Sequence, residues 1–385
     1  MSRFAIRGLM LIGTRLSRGM MLIQDGKIAG IQTGNQSTGP WGPIEMRDAA
    51  YIAPGFIDLQ VNGGFGVEVG DDPDAIRTLA ARLPETGVTA FLPTIITSPP
   101  EFYPKAIAAF EAARDVRGAR PLGLHLEGPF LSPQRPGAHR RDIIENADSR
   151  LLDPLLESDA VRLVTLAPER PDAPELIEKL RKRNLLISLG HTDATYEQFE
   201  AGVDAGARMA THLYNAMSPF AHRAPGAVGA ALLDDRVTVG LIADGVHSRP
   251  ASLRLAVRAK GIDRIALVTD MMAAAGMPPG TYALGGQQVR VDRVSARLND
   301  GTLAGSLLTM DRAVSNMVYW TDATIIDALR MASEIPAQLL RLERMGRICV
   351  GNEADLVLLD ANLHVHMTIV RGNVVYERGS QVGSA

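Results

Sequence analysis

The sequence predicts an α/β protein: a (β/α)8 TIM barrel with a small β-sandwich domain built from both termini. Three observations carry this prediction. Eight short apolar runs alternate with helical stretches through the middle of the 385-residue chain. Both ends are rich in short strand-like segments. No Gly-rich dinucleotide loop follows the first run, which disfavours the competing layout, an open doubly wound sheet.

The two ends of the chain predict the small domain. "GMMLIQDGKIAGIQTG" contains two β-rich runs joined by Asp25-Gly26, a hairpin turn sequence. "ADLVLLD", "VHMTIV" and "NVVYERG" follow the same pattern near the C-terminus, with Gly372-Asn373 at a turn. Neither end can bury both faces of its strands alone, so we expect the two to pair. The predicted domains are 1–51 with 347–385 for the sandwich, and 52–346 for the barrel.

The middle of the chain predicts the barrel strands and the helices between them. Helical stretches such as "DAIRTLAARLPETG", "ELIEKLRKRN" and "YEQFEAGVDAGA" separate most of the runs. The eight predicted strands are "FIDLQVNG", "VTAFLPTI", "PLGLHLEG", "RLVTLAP", "LLISLGHT", "MATHLYN", "TVGLIADG" and "RIALVTD".

Composition narrows the class of protein. Hydrophobic residues make up 46% of the chain and charged residues 22%, which is ordinary for a soluble globular protein. A net charge of -3 disfavours a nucleic-acid or anionic-membrane partner. The single cysteine, Cys349, excludes an internal disulfide and fits a reducing compartment. The N-terminal segment is too interrupted by Arg and Gly for a signal peptide. We therefore expect a cytoplasmic enzyme.

Chemistry in a TIM barrel lies at the carboxyl ends of the strands, and metal-ligand residue types occur there. Glu127, His191 and His212 end three different strands and can converge on one point. Two imidazoles and one carboxylate form an open ligand set for Zn²⁺ or a similar ion. His125 shares a strand face with Glu127 and is the alternative ligand, although we place it beside the ligands or toward substrate.

Asp270, at the end of "RIALVTD", is the predicted acid/base. Beside a hydrolytic metal, a carboxylate can take a proton from water and pass it to the leaving group. Gln60 and Asn62 end the first strand, where many metal hydrolases carry two histidines. Amides are weak ligands for transition metals, and no lysine is placed to become a carbamate bridge. We therefore expect a vestigial second site and one metal per chain.

Several of these segments together resemble the N-acetylglucosamine-6-phosphate deacetylase family of the amidohydrolase superfamily. The resemblance runs along nearly the whole chain, and its segments are "PGFIDLQVNGG", "HLEGPF", "GHTDATYEQ", "THLYNAMSP", "IADGVH", "LVTDMMAAAG" and "LAGSLLTM". It implies a metal-dependent hydrolase that removes acetate from N-acetylglucosamine 6-phosphate, in amino-sugar catabolism and cell-wall recycling, and it implies a homodimer. Asp193 departs from the commoner "GHTNATY" but is not a proposed ligand.

The resemblance also assigns roles. It implies that Glu127, His191 and His212 hold one divalent metal per subunit, zinc first, with iron, manganese or cobalt as alternatives, and that Asp270 is the acid/base. Arg223 and His247 would hold the phosphate, with Arg223 supplied in some members by the neighbouring subunit. The full set of substrate-side positions is Ala138, His139, Asn215, Ala216, Arg223, His247, Leu303, Ala304 and Gly305.

Other interpretations remain open from the sequence alone. Arg223 and His222 are also typical of a solvated surface loop, and Asn215 of a residue that bonds its own loop. The closest rival function is another amidohydrolase-superfamily deacylase, acting on a different N-acyl amine, which would not need Arg223. A catalytically silent barrel would be expected to have lost some of the ligand residues, and this chain keeps them all.

Overall fold

The computed structural model describes residues 3–34, 41 and 44–379. The predicted small domain also includes residues 1, 2, 35–40, 42, 43 and 380–385, which lie outside this part. The strands are β1 Arg3–Ile12, β2 Arg15–Gln24, β3 Lys27–Thr33, β4 Met46–Pro54, β5 Phe56–Val61, β6 Gly63–Gly64, β7 Val67–Glu68, β8 Val88–Ile96, β9 Arg120–Pro121, β10 Leu124–Glu127, β11 Val161–Leu166, β12 Leu186–Leu189, β13 Met209–Ala210, β14 Thr238–Leu241, β15 Ile265–Leu267, β16 Gly280–Leu284, β17 Gln287–Val291, β18 Ala296–Arg297, β19 Leu356–Leu359, β20 Val365–Val370 and β21 Asn373–Glu377.

The α-helices fall largely between the strands. One of them, α6, begins with a capping box in which Thr195 and Gln198 satisfy each other's backbone N–H groups. The α-helices are α1 Pro73–Arg82, α2 Tyr103–Ala112, α3 Arg141–Glu145, α4 Leu152–Leu155, α5 Ala173–Lys182, α6 Tyr196–Ala205, α7 Gly226–Leu233, α8 Pro250–Lys260, α9 Met310–Trp320, α10 Ile325–Ala332 and α11 Glu334–Leu339. Among the described residues, none of these helices has the length and apolar character needed to cross a membrane.

The barrel prediction is confirmed. All eight predicted runs form strands, and they pair in parallel in the order β15-β14-β13-β12-β11-β10-β8-β5, with β9 added beside β8. The chain just beyond β15 returns to the end of β5 and nearly closes the barrel: Asp270 N donates to Gln60 O at 3.0 Å and Asn62 N donates to Met271 O at 2.9 Å. This closure places Asp270 beside the two amides.

Both chain ends meet in one separate seven-stranded sheet, as predicted, in the order β21-β20-β19-β4-β1-β2-β3. The predicted Asp25-Gly26 turn joins β2 to β3, with φ of 52° and 78°. Both residues are left-handed, as a type I′ hairpin turn requires. Ile6, Ile52 and Leu358, from three neighbouring strands, are fully buried in the core of this sheet. The domain boundaries at 51/52 and 346/347 stay a proposal.

A small antiparallel sheet, which we did not predict, follows the last barrel strand. It consists of β16, β17 and β18. Gly285 and Gly286 form its first turn, with φ of 58° and 76°. Leu284, at the end of β16, lies against Ile96 and Met272 in a separate hydrophobic cluster. The hairpin thereby sits against the carboxyl end of the barrel, beside the predicted site.

Candidate active site

Four predicted functional side chains come together at the carboxyl end of the barrel. Glu127 is the last residue of β10, while His191 and His212 follow β12 and β13 by two residues each, and Asp270 follows β15 by three. The last three have left-handed backbones, with φ of 46°, 30° and 51°. A non-glycine residue avoids this conformation unless its surroundings impose it. The strand ends therefore bend sharply where these side chains leave the sheet.

Glu127 and the histidines supply a compact group of donors. His212 Nε2 lies 3.0 Å from Glu127 Oε1 and 3.0 Å from His191 Nε2. His191 Nε2 lies 3.4 Å from Glu127 Oε1. A third histidine, His139, is also near, since its donor atom and those of Glu127 and His191 lie within 4.8 Å of one another. The donor types fit a divalent transition metal such as zinc. Which histidines are ligands stays a prediction.

Hydrogen bonds made by the opposite ring nitrogens distinguish the histidines. His191 Nδ1 lies 3.1 Å from the Arg135 carbonyl and can only donate to it, which leaves the Nε2 lone pair for a cation. His139 Nδ1 accepts from the Thr97 N–H at 3.2 Å, so its proton is on Nε2. Burial lowers the pKa of His139 to about 3, which keeps the ring neutral. His139 is therefore arranged as a hydrogen-bond donor.

The two amides of the first strand lie against the carboxylates of the site. Gln60 Nε2 donates to Glu127 Oε1 at 2.8 Å and to Asp270 Oδ1 at 3.1 Å. Asn62 Nδ2 donates to the same Asp270 oxygen at 2.6 Å. Neutral N–H donors thus lie against the two carboxylates and bridge them. Amides can therefore stand at these two positions, where many metal hydrolases carry two histidines, because their N–H groups hold the carboxylates in place.

A buried carboxylate that the sequence analysis overlooked holds this arrangement from below. Asp58 Oδ2 accepts from Thr269 Oγ1 at 2.5 Å, and Oδ1 accepts from the backbone N–H groups of Gln60 and Thr269, each at 3.2 Å. These bonds fasten β5 to the residue before Asp270. Burial raises the pKa of Asp58 to about 7. The signal in the sequence was a lone charge inside the apolar run "FIDLQV".

Burial and neighbouring charge shift the other carboxylates in opposite directions. Burial, reinforced by the charge of Glu127, raises the pKa of Asp270 to about 6, which is near the range useful to a general base. Burial would also raise the pKa of Glu127, but the adjacent imidazoles of His191 and His212 hold it well below its ordinary value. Two carboxylates with separated pKa values are typical of a site with distinct acid/base and ligand roles.

A cavity of about 480 Å³ opens above these groups. It is lined by most of the residues that the sequence and the resemblance singled out: Asn62, Glu127, Ala138, His139, His191, His212, Asn215, Ala216, His247, Asp270, Leu303 and Gly305.

Four of the predicted residues do not line this cavity. Gln60 lies beneath it, against Glu127. His125 lies deeper in the barrel, where Nε2 is 2.8 Å from Thr165 Oγ1 and Nδ1 is 3.2 Å from Leu59 O, and burial lowers its pKa to about 4. Ala304 is fully buried. Arg223 is exposed, and it forms no ion pair or side-chain hydrogen bond within the part of the chain that the structure describes.

Two of the predicted substrate residues, His247 and Asn215, form hydrogen bonds within the protein. Asp244 Oδ2 accepts from His247 Nδ1 at 2.7 Å, which orients the ring at the cavity wall. Burial would raise the pKa of Asp244, but the His247 bond lowers it below its ordinary value. Asn215 Nδ2 donates to the His212 and Leu213 carbonyls at 3.2 and 3.1 Å. The amide nitrogen of Asn215 therefore bonds its own loop, which was the alternative interpretation of this residue. Asn215 also lines the cavity.

Several lining residues were missed. Arg135 lines the cavity, and its Nε donates to Asp193 Oδ1 at 2.7 Å. Asp193, which stands where asparagine is commoner, therefore pairs with a cation of the cavity wall. Its position in "RPGAHR", next to Ala138 and His139, was an available signal. The new hairpin region adds further walls: Leu284, Asp300 and Thr302.

Comparison with known protein families assigns this chain to one of them. The model of the amidohydrolase family matches residues 51–375, and the chain belongs to the amidohydrolase family. This family assignment agrees with the barrel, the strand-end histidines and the small terminal sheet.

Similar proteins and solved structures bear the names of sugar-phosphate deacetylases. A Bacillus subtilis protein named N-acetylglucosamine-6-phosphate deacetylase is 39% identical, over 94% of this chain and 93% of its own. An Escherichia coli O157:H7 protein named N-acetylgalactosamine-6-phosphate deacetylase is 40% identical, over 91% and 93%. A structure of a Mycobacterium smegmatis N-acetyl-D-glucosamine-6-phosphate deacetylase mutant in complex with N-acetyl-D-glucosamine-6-phosphate has a TM-score of 0.91 and 33% identity, covering 97% of this chain and 100% of its own.

Proposed function

We propose that this protein is a metal-dependent deacetylase that hydrolyses N-acetyl-D-glucosamine 6-phosphate to D-glucosamine 6-phosphate and acetate. The observation that carries the proposal is the convergence of Asp270, the Glu127–histidine donor group and the donating ring of His139 on one cavity. The named relatives supply the substrate class. Amino-sugar catabolism and a cytoplasmic location fit this reaction and belong to the proposal.

Glu127, His191 and His212 would hold one divalent cation, with zinc as the first candidate. They supply the carboxylate and imidazole donors of an open catalytic site, and His191 has its free lone pair on the side facing His212. His139 belongs to a different role, because its Nε2 carries a proton. When bound, the cation would polarise the amide carbonyl and acidify water.

Asp270 performs the proton transfers. As a carboxylate it takes a proton from the attacking water, whose oxygen bonds to the acetyl carbon. The amide carbonyl oxygen then becomes an oxyanion. Asp270 returns the proton to the sugar nitrogen, the C–N bond breaks, and acetate and the amine leave. Gln60 and Asn62 hold the carboxylate in place by donating to Oδ1.

His139 stabilises the oxyanion. Thr97 fixes the ring through Nδ1, and Nε2–H lies on the side of the Glu127 carboxylate, 3.7 Å from Oε2. A pre-positioned neutral donor gains most when negative charge develops on the oxygen it faces, since it needs no reorganisation at that moment. The same arrangement explains why a histidine so near the ligands is not counted among them.

The 6-phosphate would be bound at the rim by His247 and by Arg223 of the neighbouring subunit in a homodimer. Asp244 orients the ring of His247 through its hydrogen bond to Nδ1. Arg223 lies outside its own cavity and is exposed without an ion pair among the described residues, as expected for a side chain that serves a partner. A guanidinium offers a planar fork that matches phosphate oxygens.

A second candidate substrate is N-acetylgalactosamine 6-phosphate, because the E. coli relative at 40% identity bears that name. The two sugars share the acetamide and the phosphate and differ at one hydroxyl, so the site described above could process either. The reaction chemistry would be identical.

Acetate release from three compounds tests the proposal: N-acetylglucosamine 6-phosphate, its galactosamine epimer, and unphosphorylated N-acetylglucosamine. We expect the first to be hydrolysed with the highest kcat/KM. Asp270→Asn should retain substrate binding and lose at least about 10⁴-fold in kcat, because an amide cannot accept the proton. Absence of acetate release from all three, or near-native turnover by Asp270→Asn, would refute the proposed reaction.

A further inference from the structure

A second and larger cavity, of about 860 Å³, lies at the opposite end of the barrel. Val161, Leu186 and Thr238 line it, and each is the first residue of its strand, in β11, β12 and β14. The catalytic side chains lie at the carboxyl ends of the same sheet. With strands of about 3.3 Å per residue, the two cavities are separated by roughly 15 Å of barrel interior.

Arginine dominates the wall of this cavity. Three acidic side chains, Glu157, Asp159 and Asp263, lie among the lining residues. Since the whole chain carries a net charge of -3, the cavity concentrates positive charge locally. The eight lining arginines are Arg114, Arg162, Arg181, Arg183, Arg208, Arg236, Arg264 and Arg341.

Half of these arginines are already occupied. Two make ion pairs: Arg114 with Asp159, and Arg236 with Asp234 and Asp204. Two donate to backbone carbonyls: Arg162 Nη2 to Leu340 O at 3.1 Å, and Arg208 Nη1 to Ala207 O at 2.6 Å. These four have structural partners that account for them.

The other four arginines, Arg181, Arg183, Arg264 and Arg341, make no ion pair or side-chain hydrogen bond within residues 3–34, 41 and 44–379. The acidic residues do not neutralise them. Asp159 pairs with Arg114, and Asp263 pairs with Arg330. Glu157 is the remaining carboxylate of the wall and is exposed. All four arginines are exposed, and Arg181 also acts electrostatically on Glu178. The cavity wall therefore carries four guanidinium groups that no acid of the described residues pairs with directly.

The backbone at Arg341 gives a second, independent indication. Its φ is 55°, and it follows the last turn of α11, where a left-handed residue usually is glycine. Leu342 N donates to Ala337 O at 2.9 Å, as in a Schellman-type ending. A long charged side chain at such a position carries a conformational penalty that glycine would avoid. Such strain often accompanies a functional side chain.

The cavity also has an apolar side. Leu185 and Leu339 are partly exposed and offer apolar surface, while Leu156 and Ile335 are only 7% and 2% exposed. All four line the cavity. Guanidinium groups next to an apolar wall suit a ligand that joins phosphate groups to a flat ring.

We propose that this arginine cavity, defined by Arg181, Arg183, Arg264 and Arg341 with the four apolar residues, binds a small molecule of the nucleoside diphosphate class. The phosphates would contact the uncommitted guanidinium groups, and the ring would lie on the apolar wall. The site is separate from the deacetylase cavity, so the inference does not rest on the proposed function.

Calorimetric titration of the intact, metal-loaded protein with ADP tests this site. We expect one ADP per chain. The double variant Arg183→Ala/Arg341→Ala should bind at least tenfold more weakly, because each charge-assisted contact to phosphate contributes about a factor of ten or more. Pyrophosphate, which lacks the ring, should bind several-fold more weakly than ADP to the wild type.

Two controls make the result decisive. Arg254→Ala removes an exposed arginine of α8 that also has no ion pair among the described residues but does not line the cavity, and it should leave ADP affinity unchanged. Arg223→Ala, at the proposed phosphate position of the active site, should also leave it unchanged. No ADP binding at millimolar concentration, equal affinity for pyrophosphate, or loss on Arg223→Ala with retention in the double variant would overturn the assignment. Circular dichroism of each variant excludes misfolding as the cause.

Discussion

At the residue scale, the site is made by side chains whose backbones are strained. His191, His212 and Asp270 all have positive φ, which costs on the order of 1 kcal/mol or more for each non-glycine residue. Residue type and position at a strand end were enough to predict that these three would converge. The left-handed bends were not predictable, because they depend on how each strand end meets its neighbours. At Asp270, for example, the backbone N–H donates to Gln60 O across the closure of the barrel.

Asn62 tunes the proton affinity of Asp270. Its amide donates to the carboxylate at 2.6 Å and lowers a pKa that burial otherwise raises. Burial raises this pKa to about 6 in the cation-free protein. Since Asp270 must be deprotonated to act as a base, kcat/KM of the metal-loaded protein should rise with pH through the pKa of Asp270 and then level off. A bound cation would move the rise to lower pH.

Asn62→Leu should therefore shift the acidic limb of the pH profile of kcat/KM to higher pH, by about one unit, because the ionised carboxylate loses roughly 1.4 kcal/mol of stabilisation. Asn146→Leu is the matched control, since its amide donates to Asp142 O on the surface. An unchanged limb in Asn62→Leu would show that this hydrogen bond does not set the pKa of the base.

At the element scale, periodicity predicted the eight barrel strands and the Asp25-Gly26 hairpin, because buried runs and turn residues are local signals. The hairpin of β16 and β17 was missed, although "YALGGQQVRV" carries a two-glycine turn between β-rich runs. Its strands are largely exposed and bury only alternate side chains, Leu284, Val289 and Val291, so no continuous apolar run marks them. Its contribution to the cavity wall depends on tertiary contacts.

Gly285→Ala tests whether this hairpin shapes the active site. A Cβ at Gly285 would lie 2.5 Å from Ile96 Cδ1, and Ile96 lines the cavity. Gly286 has a similar φ but open space around it. Both substitutions should destabilise the turn by about 1 kcal/mol.

Only Gly285→Ala should also raise the KM for N-acetylglucosamine 6-phosphate several-fold, measured by initial rates beside Gly286→Ala. Equal KM values for the two variants would mean that the hairpin does not control the pocket through Ile96.

At the scale of the whole molecule, the sequence predicted that distant chain ends share one sheet, because neither end could bury its strands alone. It could not place Arg223. The loop residue is outside its own cavity and exposed, and the role proposed for it depends on a second copy of the chain that no local pattern describes. The arginine cavity likewise could not be predicted from the sequence, since its eight arginines are scattered from residue 114 to residue 341.

Arg223→Ala should lower kcat/KM for the phosphorylated sugar by about ten- to a hundredfold and leave unphosphorylated N-acetylglucosamine largely unaffected, because a charge-assisted bond contributes roughly 1.5–3 kcal/mol. Equal effects on both sugars would remove Arg223 from phosphate recognition.

Mixed dimers test the origin of Arg223. A subunit with Arg223→Ala and one with Asp270→Asn, co-expressed with different tags and purified together, should form one complete site and recover up to about half of the native rate. If Arg223 acts within its own subunit, the mixed dimer stays as inactive as its parents.

The central claim is a deacetylase site that uses one cation, with Gln60 and Asn62 in place of a second. The most direct test is stepwise addition of Zn²⁺ to chelator-treated protein, with acetate release from N-acetylglucosamine 6-phosphate measured at each step. We predict that activity rises linearly and reaches its plateau at one zinc per chain. A plateau at two, or full activity before any zinc is added, would contradict this account.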